Sequence, residues 1–120
     1  MQELILSTLP HTWFIDIDGT ICKHNGFKEG PDLLLPNVKE FFLSIPKEDT
    51  IILTTSRREE DLAKFLEIPG IRYDQIIYNL PTGERILIND EKPSGLKMAF
   101  AISIERDKGI DAKIIIDDEL

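Results

Sequence analysis

Trp13-Phe14-Ile15-Asp16-Ile17-Asp18-Gly19-Thr20 decides how this chain is read. Its apolar, β-favouring lead-in runs into two carboxylates and a glycine, so it reads as a buried strand that stops at a tight turn. Downstream, Pro36 can open a helix in which Val38, Phe41, Phe42 and Ile45 share one face until Pro46 ends it. Thr50-Ile51-Ile52-Leu53-Thr54 is a second continuous apolar strand. From Arg57 to Glu67, charges alternate with Leu62, Phe65 and Leu66 at helical spacing. Tyr73 to Tyr78 is a short strand candidate, and Arg85-Ile86-Leu87-Ile88 a clearer one beyond the turn-forming Pro81-Thr82-Gly83. Ser94 can cap a helix through about Arg106, and Ala112 to Ile116 forms a last strand before Asp117-Asp118.

Alternating strands and helices predict an α/β fold: one Rossmann-like, three-layer domain over residues 1–120, with helices on both faces of a mostly parallel sheet. The 120 residues suffice for one core. Hydrophobic residues at 42% and charged residues at 30% are the balance of a chain that folds unaided. A formal charge of −8 repels nucleic acid and anionic membrane surfaces, so neither is an expected partner. The first ten residues lack a basic leader and a long apolar run, and no other segment has the length to span a bilayer; the expected compartment is the cytoplasm. Cys22 is the one cysteine and reads as a spectator.

In such folds ligands bind along the edge where the strands end. The expected topology delivers Asp16 and Asp18, Thr54 and Thr55, and Asn89 and Asp90 to that edge. Carboxylates gathered in a crevice repel one another and take up protons unless a cation offsets them. Oxygen ligands alone favour magnesium. Any one of these aspartates could instead simply end a strand, because aspartate favours turns; the set is harder to explain that way.

Phe14-Ile15-Asp16-Ile17-Asp18-Gly19-Thr20, followed by a strand ending in Thr54-Thr55-Ser56-Arg57, resembles the hydrophobic strand, D-x-D-G-T signature and second motif of the haloacid dehalogenase superfamily. The likeness spans residues 12 to about 93. It implies that Asp16 attacks phosphorus to form an aspartyl-phosphate, while Asp18 protonates the leaving alcohol and later deprotonates water. It also implies a magnesium ion between the Asp16 carboxylate, the Asp18 carbonyl and a later acid. Thr55 matches the phosphate-holding hydroxyl best, through Thr55-Ser56-Arg57, and Thr54 stays open. Arg57 and Arg58 read as solvated, and Ser56 suffices as a helix N-cap.

Two registers compete for the later motifs. In the preferred one, Arg85-Ile86-Leu87-Ile88-Asn89-Asp90 supplies Asp90 as the late metal ligand, and Lys92 reaches the phosphate from just beyond it. This leaves Leu80 at the usual lysine position and Asn89 where many relatives carry an acid. In the other, Lys92-Pro93 is the lysine motif and Asp117-Asp118 the acidic one. The preferred register resembles small, capless relatives linked to sugar and capsule biosynthesis. Only Ile21 to Leu35 separates the first motif from its helix, too little for a cap domain; Lys23, His24, Asn25 and Lys28 lie on this flap. An open site suits either a large substrate or coverage by a neighbouring subunit in a homo-oligomer. The resemblance thus implies a magnesium-dependent phosphatase acting on a small phosphorylated substrate, a sugar phosphate by family analogy. The departures at Leu80 and Asn89 motivate a rival: a non-catalytic protein that keeps the metal and phosphate pocket.

Overall fold

A computed structural model describes residues 1–24, 33–62 and 70–120. Among the described residues, five strands and one α-helix follow in the order β1 (Gln2–Leu6), β2 (Thr12–Asp16), α1 (Val38–Ser44), β3 (Thr50–Thr54), β4 (Gln75–Ile77) and β5 (Ala112–Ile116), with a 3-10 turn at Glu59–Leu62. All pairings between these strands are parallel, in two sheets: β2-β3-β4 and β1-β5. The fold is α/β with parallel sheets, and the described residues hold little helix.

The expected strands at residues 13–18, 50–54, 73–78 and 112–116 have counterparts in β2, β3, β4 and β5. Strand β1 was not foreseen, and it matters. It pairs with β5 from Gln2 opposite Ala112 to Leu6 opposite Ile116, so β5 lies in a different sheet from β2.

Two elements expected in the later half do not form. Arg85 to Ile88 is not a strand and Ser94 to Arg106 is not a helix; residues 81–105 hold no regular element. Leu96, Met98, Phe100, Ile102 and Ile104 recur at every second position, a period that suits extended chain and cannot make one face of a helix. Leu96, Ile102 and Ile104 are partly buried, whereas Met98 and Phe100 are exposed together with Lys97, Ala101, Ser103 and Glu105. Without that helix, the described residues do not form the three layers expected. The expected helix from Arg57 to Glu67 begins as the Glu59–Leu62 turn, and its remainder lies outside the described residues.

One core serves both sheets. Leu4 and Leu6 of β1, Ile15 of β2, Ile51 and Leu53 of β3 and Ala112 of β5 meet Val38, Phe41 and Phe42 of α1 in a single cluster. Those helical residues stand at i, i+3 and i+4, the spacing of one face. Pro36 and Asn37 precede the helix in a turn, with Asn37 left-handed at φ 62° and its side-chain amide donating to the Ile110 carbonyl at 2.7 Å. Gly109 closes this contact from the other side at φ +89°. A methyl group there would collide with the Pro36 carbonyl, so Gly109→Ala adds left-handed strain to a backbone clash. We expect a loss of roughly 3 kcal/mol, read as a lower denaturation midpoint in urea.

At the N-terminal ends of β2 and β3, opposite the carboxyl edge, Asp49 ties the sheet together. Its carboxylate accepts the His11 main-chain N–H at 3.0 Å and the Trp13 indole N–H at 2.9 Å, and its Oδ2 lies 2.8 Å from His11 Nδ1. The Trp13 ring in turn meets Phe41 edge-on, with centroids 5.8 Å apart. Burial pushes the Asp49 carboxyl up, but the hydrogen bonds from Trp13 and His11 outweigh it and hold the group below its ordinary range. A depressed native pKa stabilises the fold above the unfolded carboxylate pKa, and the benefit disappears as pH falls through the native one. Asp49→Ala leaves a buried indole N–H and a main-chain N–H without acceptors. It should cost about 2 to 3 kcal/mol at neutral pH and much less in acid strong enough to protonate the native carboxyl, which melts under both conditions would show.

Candidate functional site

Strands β2, β3 and β4 run in parallel and end together. Asp16 lies opposite Thr54 and Thr54 opposite Ile77, and the ladder continues past the strands through Ile17 N–H to the Thr54 carbonyl (3.0 Å) and Thr55 N–H to the Ile77 carbonyl (3.0 Å). Asp16, Asp18 and Thr55 therefore reach one edge, as the sequence predicted.

Beyond β2 the chain folds back tightly. Ile21 N–H and Cys22 N–H both donate to the Ile17 carbonyl, at 2.9 and 3.2 Å, and Gly19 N–H donates to the Cys22 carbonyl at 2.7 Å. Gly19 sits at φ +87°, a conformation that a side chain disfavours. The turn at Arg106 and Asp107 covers it: Asp107 N–H donates to the Gly19 carbonyl at 2.9 Å, and Asp107 Oδ1 accepts His24 N–H at 2.7 Å.

Within this turn the two aspartates have different surroundings. Asp16 is partly exposed and accepts one side-chain hydrogen bond, from the Thr20 hydroxyl at 3.3 Å. Burial pushes its carboxyl above the ordinary range. The Thr20 hydrogen bond pulls it down, Asp18 pushes it up, and the charges of Arg85 and His24 pull it down again. Asp16 is thus a carboxylate short of compensating charge.

Asp18 is fully engaged. Arg57 Nη2 donates to its Oδ1 at 2.7 Å, Arg57 Nε reaches both oxygens at 2.9 and 3.1 Å, and the Thr55 hydroxyl donates to Oδ2 at 3.1 Å. The same hydroxyl accepts Arg57 N–H at 3.0 Å, so Thr55, wholly buried, fixes both members of the ion pair. Arg57 is only 5% exposed, which corrects the expectation of a solvated arginine. Its Nη2 also lies 3.3 Å from the Cys22 thiol. The signal was present in Thr55-Ser56-Arg57: a basic residue two positions after a strand-end hydroxyl can fold back onto an acid of the neighbouring strand. Arg58, by contrast, is exposed and pairs with Glu60 and Asp61 at the surface.

The remaining predicted residues sit elsewhere. Asp90 is exposed, and the Asn89 side-chain amide donates to its main-chain carbonyl at 3.1 Å. Lys92 is exposed at the start of a turn, its N–H donating to the Leu96 carbonyl at 3.0 Å. Asp117 belongs to the other sheet, where its N–H donates to the Leu6 carbonyl at 2.8 Å. Asn25 and Lys28 lie outside the described residues.

A magnesium ion finds a partial fit. Asp16 offers a carboxylate that a cation would relieve, but Arg57 already compensates Asp18. Among the described residues, no three His, Cys, Asp or Glu side chains gather as a metal shell. Neither Asp90 nor Asp117 completes one. Nor, among the described residues, is any helix long and apolar enough to cross a membrane.

Comparison with protein-family models, curated proteins and solved structures found no match.

Proposed function

We propose that the chain is a cytoplasmic phosphohydrolase of the haloacid dehalogenase type, which releases phosphate from a small phosphomonoester through an aspartyl-phosphate on Asp16. The observation that carries this reading is the contrast at the strand edge: Asp16 is partly exposed and under-compensated, while Asp18 beside it is clamped. An Asp16 oxygen attacks phosphorus, the bond from phosphorus to the substrate alcohol breaks, and that oxygen takes a proton. Water then attacks the same phosphorus, its proton passes to a base, and the Asp16 carboxylate is restored. Asp18, beside Asp16 at the same edge, is suited to the second step as base. To serve the first step as acid, it must loosen from the guanidinium and collect a proton.

Magnesium, held by the Asp16 carboxylate and the Asp18 carbonyl, would neutralise charge on the phosphoryl oxygens. A sugar phosphate is the substrate class we favour. The test is phosphate release from a panel of phosphomonoesters with magnesium. Release should stop on adding EDTA and return with excess magnesium; a panel with no turnover on any ester would reject hydrolysis.

One observation favours a second reading, a non-catalytic protein that binds a phosphorylated ligand. Both Asp18 oxygens and the Thr55 hydroxyl are already occupied by each other and by Arg57. Calorimetry showing magnesium-dependent binding of inorganic phosphate, together with a silent ester panel, would select it.

A further inference from the structure

Residues 84–92, Glu84-Arg85-Ile86-Leu87-Ile88-Asn89-Asp90-Glu91-Lys92, hold no regular element, yet their centre is β-favouring and strongly apolar. Yet Ile86 is 85% exposed and Ile88 91% exposed. Among the described residues, no main-chain to main-chain hydrogen bond engages residues 84 to 91. A run whose amides and carbonyls lack main-chain partners and whose isoleucines are exposed is a template for another strand.

The order of charges selects the partner. Laid antiparallel on itself with Ile88 on the axis, the segment sets Glu84 opposite Lys92 and Arg85 opposite Glu91, each pair occurring twice by symmetry. Ile88 then meets Ile88, Leu87 faces Asn89, and Ile86 faces Asp90. A parallel, in-register pairing would instead stack like charge on like. We propose that the chain forms a homodimer in which Glu84–Lys92 pairs antiparallel with the same segment of a second copy, about a twofold axis through Ile88. The proposal does not depend on the phosphohydrolase reading.

A competing occupant lies within the chain. Lys92 N–H donates to the Leu96 carbonyl, and Gly95 N–H to the Lys92 carbonyl at 2.8 Å, with Gly95 at φ +92°; extended from this turn, a hairpin would set residues 96–104 against 84–92. In that register Glu91 faces Lys97, but Arg85 faces Ser103 and Asp90 faces Met98, so charge matching is poorer than in the self-pair.

Sedimentation equilibrium of the full chain over a concentration series tests the proposal. The expected mass is twice the 13.7 kDa of the chain. Ile88→Lys should leave a folded monomer, with its far-ultraviolet circular dichroism unchanged. Glu91→Arg sets arginine against Arg85 twice and should weaken the dimer about tenfold, and adding Arg85→Glu should restore it. A monomer at every concentration, as pairing within the chain or with another protein predicts, would overturn the proposal. So would a double reversal no tighter than the single one.

Discussion

Asp16→Asn is expected to abolish the proposed phosphate release and to leave the protein as stable as before or more so. The amide keeps the size and shape of the carboxyl group but is a far weaker nucleophile, so turnover should fall by a factor on the order of a thousand or more. The stability half follows from the environment of Asp16. Burial and the neighbouring Asp18 hold its carboxyl above the ordinary range, against the pull of Thr20, Arg85 and His24. A raised native pKa means that the folded state binds a proton more readily than the unfolded one, so ionised Asp16 costs stability once pH rises through that native pKa. The neutral amide removes the cost. Turnover, which needs the ionised form, should correspondingly decline as pH falls through the same raised value. Parallel melts and phosphate assays across acid and neutral pH check both parts. Full activity in Asp16→Asn would remove Asp16 as nucleophile.

Arg57→Met has the largest expected effect on stability. The Arg57 and Asp18 side chains are 2% and 12% exposed, so the substitution strands a nearly buried carboxylate that retains only the Thr55 hydroxyl among its present side-chain donors. Breaking one side of a buried pair costs about 3 to 5 kcal/mol, whereas replacing both members with apolar residues of similar volume is often neutral. Arg57→Met alone should therefore approach global unfolding, and Arg57→Met with Asp18→Leu should recover much of the loss. Urea titrations of the two variants make the comparison. If the double variant is as unstable as the single one, the cost lies in packing against Cys22 and Thr55 instead of in the stranded charge.

Strands β2 and β3, the helix between them and the placement of Asp16, Asp18 and Thr55 at one edge were legible from order alone. Apolar runs of five or six residues ending in turn-forming polar residues signal buried parallel strands, and a parallel pair with a helical crossover brings its carboxyl ends together. The stretch from Gly83 to Arg106 was not legible. Ser94 is a good cap, and local propensity there favoured a helix, but the alternation from Leu96 to Ile104 fits extended chain, and the period prevailed over the cap. Strand β1 was missed because Gln2 to Leu6 carries too little pattern to announce itself without its partner, β5.

By itself the sequence determined that a carboxylate pair, a glycine turn and a strand-end hydroxyl stand where β2 and β3 end, since these are local features. Only the tertiary structure decided how Asp18 is compensated: by Arg57, 39 positions away along the chain. It also decided that Asp117 ends a different sheet from Asp16. Charge compensation depends on distances of a few ångströms between segments remote in sequence, and those distances are set by how the sheets share one core.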